Sequence, residues 1–149
     1  MHNMRVTEDL RELARYWWEA QRLAHGSRGE RERWSVGEPA EVVAAWGAAR
    51  EVVDRGGEAA LNLIVALLDS APGDSGRSTV GAGPLEEIVT EYGDVLSAQL
   101  DRLARTSVAF RQALSSVWLD AGALSPAASR QLARWIPGLG APRISMTRA

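Results

Sequence analysis

Apolar residues recur every three to four positions along most of this sequence, which is the spacing of one face of an α-helix. Near the start of the chain, Leu10, Leu13 and Trp17 lie on one such face. No stretch between turn residues alternates apolar and polar side chains over the length of a strand. The sequence therefore predicts an all-α protein, folded as a compact bundle or an array of helical hairpins.

Glycine, proline and capping residues divide this pattern into about seven short helices. Between the first two we expect a polar connection at residues 26–37. Residues 71–83 contain four glycines, and they predict a flexible linker that could separate two helical halves. The predicted organisation is one helical domain at 1–136 and a frayed tail at 137–149. The expected helices span about 7–24, 38–55, 58–70, 84–92, 94–105, 107–121 and 125–136.

The later helices carry two specific expectations. Gly93 and Asp94 predict a turn or kink between the fourth and fifth helices. Phe110, Leu114 and Trp118 follow one another at a spacing of four residues, so all three are expected on the buried face of the sixth helix.

Composition excludes several classes of chemistry. The chain has no cysteine, and all 17 of its basic residues are arginine. Thiolate catalysis, cysteine-bound zinc and Schiff-base lysine chemistry are therefore excluded. The N-terminus has no apolar segment typical of a signal peptide, and the most apolar run, at 59–68, is about half the length of a membrane span. We expect a cytoplasmic protein without membrane contact.

Charge is unevenly distributed along the chain. Residues 38–100 hold three arginines against eleven acidic residues, and residues 101–149 hold seven arginines against two. The difference predicts an acidic middle surface and a basic C-terminal one. Alternatively, the two segments pair with each other within the fold.

The acidic candidates lie near position 90. Glu87, Glu91 and Asp94 fall on one side if the helix continues through Gly93, and such like charges at close spacing oppose one another. A partner surface would explain them, and so would a solvated helix face. A di-metal site would require histidines at matched spacing, which this chain lacks, so no metal or other cofactor is expected. The predicted partner-binding acids are Glu86, Glu87, Glu91 and Asp94.

The first predicted helix carries a second candidate surface. Arg11, Arg15, Trp18 and Arg22 form a basic stripe with one aromatic residue. Trp and Arg are enriched at binding hot spots, which favours a partner surface. Stacking of Trp18 on Arg15 or Arg22, together with ion pairs to nearby acids, is the structural alternative. Interspersed acids argue against phosphate binding.

Two further sets of residues give weaker signals. The C-terminal arginines, at 130, 134, 143 and 148, could contact nucleic acid or an acidic protein, or form a solvated face. His25 stands at a helix end beside Gly26, a setting that does not indicate a general base. We expect no catalytic residue from these patterns.

A resemblance extends over about residues 58–118. The elements Gly83-Pro84-Leu85-Glu86, Tyr92-Gly93, Phe110-Arg111-Gln112-Ala113-Leu114 and Val117-Trp118 occur in this order. In these motifs the chain resembles an uncharacterised bacterial all-helical domain family. The resemblance implies an all-α fold and no assigned activity.

These observations favour a non-catalytic helical module for protein–protein interaction, in bacterial regulation or toxin–immunity systems. Its expected partner is a protein, of basic character if the acidic helix is the contact. The alternatives are an enzyme that uses Glu86, Glu87 or Glu91, and weak nucleic-acid binding through the arginine stripes.

Overall fold

A computed structural model describes residues 2–139, and their side chains from Asp9 onward. Within that range the chain forms eight α-helices and no strand, and a short segment described as π-helical contains a kink at Gly83, where the backbone is not helical. The all-α fold is confirmed. Residues 140–149 of the predicted tail lie outside the described residues. The helices are α1 (His2–Ala24), α2 (Arg28–Ser35), α3 (Ala40–Arg55), α4 (Gly57–Asp69), α5 (Gly73–Val80), α6 (Glu86–Thr106), α7 (Val108–Leu114) and α8 (Pro126–Leu132); the π-helical segment is Gly81–Leu85.

The chain divides into two compact units, unit 1 (Met1–Pro72) and unit 2 (Gly73–Ala149). The division falls inside the segment predicted as a linker. Most of that segment is nevertheless helical, since it contains α5. The Arg77 guanidinium pairs with Asp74 at 2.8 Å and donates to Gln112 at 2.9 Å, while Val80 is fully buried. These anchors oppose the disorder that the glycine content predicts.

In unit 1, α1 packs against α3 and α4. The apolar side of α4 is the centre of this packing, with Leu63, Ile64 and Leu67 fully buried. Indole rings extend the core toward the surface. The ring of Trp46 stacks on that of Trp17 with centroids 5.9 Å apart, and Trp34 meets Trp46 edge-on at 6.2 Å.

The helix α2 corrects the predicted polar connection at 26–37. Its start is a capping box: the Ser27 hydroxyl accepts the Glu30 N–H at 3.2 Å, and the Glu30 carboxylate accepts the Ser27 N–H at 3.0 Å. This pattern of a serine followed three residues later by a glutamate was visible in the sequence. It was missed because none of the helix's residues is buried, so the segment has no apolar periodicity.

In unit 2, α6 packs against α7, α8 and the π-helical segment, and α5 packs against α7. Phe110, Leu114 and Leu132 are among the buried side chains of this core. The close approach of α7 to the π-helical segment requires Gly81. A Cβ atom at this position would lie 2.0 Å from the carbonyl oxygen of Ala113.

The predicted turn at Gly93 is wrong, because α6 runs unbroken from Glu86 to Thr106. Gly93 is buried, and a Cβ atom there would lie 2.5 Å from Cδ2 of Leu124. The missing side chain makes room for the leucine of a neighbouring loop. This glycine therefore serves packing and not a turn.

The expected burial of Trp118 is also wrong, since 72% of this residue is exposed. The predicted helix over 107–121 ends early, at Leu114. Beyond it, residues 117–120 have no helical structure. Val117 and Leu119 are buried while Trp118 between them points outward, as side chains alternate in extended backbone.

A buried carboxylate ties the C-terminal segment to α6. Asp101 is 6% exposed, and it accepts a hydrogen bond from Nε1 of Trp135 at 2.8 Å and one from Nε of Arg105 at 3.0 Å. The Trp135 hydrogen bond, aided by Arg105, lowers the pKa of Asp101.

Among the described residues, every helix is too short or too polar to be a membrane-spanning segment.

We expect Gly81→Ala to destabilise the protein by about 1–3 kcal/mol, because the added methyl group meets backbone atoms that cannot rotate away. Gly47→Ala is the matched control. Gly47 lies exposed within α3 with no atom within 4 Å of the added methyl group, so that change should stabilise by about 0.5–1 kcal/mol. Urea unfolding followed by far-UV circular dichroism measures both. Equal effects of the two substitutions would contradict the close approach.

We expect Asp101→Asn to destabilise the protein at neutral pH by about 1–3 kcal/mol, because a charged hydrogen-bond acceptor is lost. The folded-state pKa of Asp101 is lowered. Its stabilising contribution is therefore complete above the unfolded-state pKa, about 3.9, and is lost as pH falls through the folded-state value. Urea unfolding across this range should show the wild type and the variant converging at acid pH. The exposed Asp120→Asn is the control, and a constant gap between wild type and Asp101→Asn would exclude this linkage.

Candidate functional site

The first half of α6 carries all four acidic residues that the sequence predicts to bind a partner. Because the helix continues through Gly93, Glu87, Glu91 and Asp94 lie on one side of it, at intervals of four and three residues. All three of these residues are exposed, and Glu86 is half-buried.

Two of these carboxylates also have a structural role. Oε1 of Glu86 accepts the backbone N–H of Trp118 at 2.7 Å, and Oδ1 of Asp94 accepts the backbone N–H of Ser125 at 2.7 Å. Residues 118 and 125 both belong to the connection between α7 and α8. The two hydrogen bonds fix both ends of this connection on α6.

Trp118 stands beside the start of α6 as a consequence of the first of these bonds. Its neighbours Val117 and Leu119 are buried, so its backbone is anchored on both sides. The residue is 72% exposed, and its backbone lies within hydrogen-bonding distance of Glu86. An aromatic face with adjacent carboxylates is a suitable environment for an arginine or lysine side chain, which stacks on the ring and pairs with the acids. We call Trp118, Glu86, Glu87, Glu91 and Asp94 the acidic surface.

The basic stripe of α1 is used largely inside unit 1. Trp18 is half-buried, its Nε1 donates to the carbonyl oxygen of Leu67 at 3.0 Å, and its ring lies edge-on to Trp17 at 4.7 Å. The Arg15 guanidinium lies over the ring of Tyr16, 5.1 Å from its centroid, and not over Trp18. Arg11 is exposed.

Arg22, the last member of the stripe, joins α1 to α2. It hydrogen-bonds to the Glu19 carboxylate, and its Nη1 lies 2.5 Å from Oε2 of Glu30. The Arg22 hydrogen bond lowers the pKa of Glu19, and the Ser27 backbone N–H together with Arg22 lowers that of Glu30. The pKa of Arg22 is raised by hydrogen bonds to Glu19 and Glu30. These contacts satisfy Arg22 within the unit, and Nη2 of Arg15 likewise lies 3.9 Å from Oε1 of Glu12.

The remaining candidates give no catalytic arrangement. Nδ1 of His25 lies 2.9 Å from the carbonyl oxygen of Gln21, at the end of α1. In the part of the chain that the structure describes, no three acidic or histidine side chains are grouped to hold a metal ion. Arg134 lies over the ring of Trp135 at 5.3 Å, and Arg130 is exposed. Arg143 and Arg148 fall outside the described residues.

Sequence reasoning missed three surface residues that the structure brings into relation with the acids. Trp118 was expected in the core, because its spacing from Phe110 and Leu114 fits the buried face of a helix that in fact ends at Leu114. Arg102 and Arg105 lie exposed on the second half of α6, on the side that carries Glu87 and Glu91. Their helical spacing from these acids was readable once α6 was known to be continuous.

The chain belongs to a protein family of unknown function, DUF6869, whose model matches residues 32–127. This confirms the expected membership in an uncharacterised family and extends it beyond residues 58–118. No curated protein and no solved structure matches the chain.

Proposed function

We propose that this member of the family is a non-catalytic protein-interaction module that binds a basic protein partner through the acidic surface of unit 2. The observation that carries the proposal is the exposure of Trp118, whose backbone is bound by Glu86 at the start of the acidic half of α6. Trp is among the residues enriched at binding hot spots.

Rigidity supports the same role for Trp118. The hydrogen bond to Glu86 and the burial of Val117 and Leu119 hold its backbone before any partner arrives. A segment whose backbone is already positioned loses less conformational entropy on binding than a flexible one. Trp118 is therefore suited to be the anchor of the contact.

Charge supports a basic partner. Residues 38–100 have a net charge of −8, and the first half of α6 concentrates four of these acids. Carboxylates on one surface accelerate the approach of a cationic protein and select against an anionic one. The partner that we propose presents a basic surface to these carboxylates, as a cationic toxin or nuclease of the bacterial cytoplasm would, and the cysteine-free sequence favours such a reducing compartment.

The helix α1 stripe is less suited to this role. Trp18 and Arg22 make their polar contacts within unit 1, so a partner would have to displace these contacts or bind to what is left. The enzymatic alternative is also disfavoured, because the Glu86 carboxylate already accepts a backbone N–H.

The double variant Glu87→Arg/Glu91→Arg should lose the partner. We expect its association rate to fall by at least about tenfold at low salt, since electrostatic steering is reversed. The measurement is capture from a lysate of the native host on immobilised protein, identification by mass spectrometry, and kinetics with the purified partner. The control Glu41→Arg/Glu58→Arg makes the same charge change at exposed positions of unit 1 and should bind as the wild type. If the acidic-surface variant binds at the wild-type rate while Arg11→Glu/Arg15→Glu does not, the α1 stripe is the contact instead.

Trp118→Ala should accelerate dissociation of that partner and leave the fold intact. Because the side chain is mostly exposed, we expect a stability loss below about 1 kcal/mol, against about 2–5 kcal/mol for the fully buried Leu114→Ala. Urea unfolding of both variants tests this difference. A large loss of unfolding free energy for Trp118→Ala would show that the side chain stabilises the core, and it would contradict the role of Trp118 as the anchor of the contact.

A further inference from the structure

The helix α6 presents one exposed stripe to solvent along its whole length. Its members recur at helical spacing and are all exposed, whereas Val89, Leu96 and Leu100 on the opposite side are buried. We call these residues the α6 stripe: Glu87, Glu91, Asp94, Val95, Ala98, Arg102 and Arg105.

Charge is ordered along the α6 stripe. The three acids occupy its first half and the two arginines its second half. Between them lie the two apolar members, Val95, which is 75% exposed, and Ala98. Charged ends around an apolar middle are the arrangement of a protein interface, which has an apolar centre and a polar rim.

This order is complementary to itself when a second copy runs in the opposite direction. Antiparallel alignment of two α6 helices places Glu91 against Arg102 of the second copy, and Glu87 against Arg105. Each of these pairs has its midpoint between Val95 and Ala98 in the sequence. One two-fold axis at that point therefore satisfies every pair at once, which is the requirement for an isologous dimer.

We infer that the protein forms an antiparallel homodimer through the α6 stripe, so that the basic surface facing the acidic α6 residues is the arginine half of the stripe on a second copy of this chain. This inference rests on the proposed function, since it names the partner for the same carboxylates. Two-fold pairing closes at two subunits and leaves no unpaired stripe for further growth.

The arginine half of the stripe is partly preorganised for this contact. Nε of Arg105 donates to the buried Asp101 at 3.0 Å, while 58% of the arginine side chain is exposed. Arg134 adds positive charge nearby, because its neighbour Trp135 donates to the same Asp101. A guanidinium held in place gains more from a facing carboxylate than a freely rotating one.

The apolar centre of the stripe consists of only two small side chains. A dimer built on it belongs among small, transient interfaces. We therefore expect a dissociation constant of about 1–100 µM, as for other weak complexes. Raising the ionic strength from about 0.1 M to about 1 M shortens the screening length from about 10 Å to about 3 Å, and should shift the protein toward monomer.

Charge-swap variants test the alignment directly. Glu91→Arg places two arginines opposite each other at both ends of the dimer, and Arg102→Glu places two acids there. Sedimentation velocity at about 500 µM chain, which exceeds the whole expected range of the dissociation constant, should show mainly dimer for the wild type and monomer for each variant alone. An equimolar mixture of the two variants should form a heterodimer, because every facing pair is again opposite in charge.

The control pair is Glu41→Arg and Arg31→Glu, both at exposed positions of unit 1, and each should dimerise as the wild type does. A monomeric wild type, or a mixture of Glu91→Arg and Arg102→Glu that stays monomeric, overturns the homodimer. The proposed function is judged separately: a monomeric wild type that still loses a foreign partner through Glu87→Arg/Glu91→Arg retains the interaction module and excludes self-association. Heterodimer formation by the mixed variants establishes the antiparallel dimer, whatever the lysate yields.

Discussion

Two carboxylates of α6 accept backbone hydrogen bonds from the connection that follows α7, and the form of unit 2 depends on this contact. Glu86 holds the N–H of Trp118 and Asp94 that of Ser125. Between them, Gly93 leaves the space that the Leu124 side chain fills. Because both ends are fixed, Val117 and Leu119 are directed into the core, and Trp118 is directed outward. Carboxylate–amide hydrogen bonds are strong enough for this role because the acceptor is charged.

The helices were predictable because their apolar faces repeat, and the all-α class follows from that periodicity. The exceptions have identifiable causes. The helix α2 buries no residue, so only its capping box reveals it. Gly93 was interpreted as a turn because glycine breaks helices, but its value here is the absence of a side chain next to Leu124. The local sequence shows where a glycine lies, but it does not show which side chain of the folded protein packs against it.

The candidate site was predictable only in part, and for a related reason. The spacing of Glu87, Glu91 and Asp94 places them together on any continuous helix. The roles of Glu86 and Asp94 depend on hydrogen-bond partners 32 and 31 residues away, and the tie between Asp101 and Trp135 extends over 34 residues. No periodicity encodes such contacts. The burial predicted for Trp118 was wrong for a similar reason. A spacing of four residues indicates one buried face only within a helix, and α7 ends at Leu114.

Because α6 is one continuous helix, the uneven charge of the sequence becomes a difference in charge between the two halves of that helix. The boundary between the acidic middle and the basic C-terminal segment falls near residue 100, within α6. Pairing between the two segments does not account for Arg105, because its partner Asp101, at 3.0 Å, belongs to the same basic half of the helix. A rigid helix cannot fold its own acidic half onto its basic half. In the homodimer that we propose, the two halves of the α6 stripe face each other between molecules, and antiparallel pairing of two identical helices achieves this with one axis.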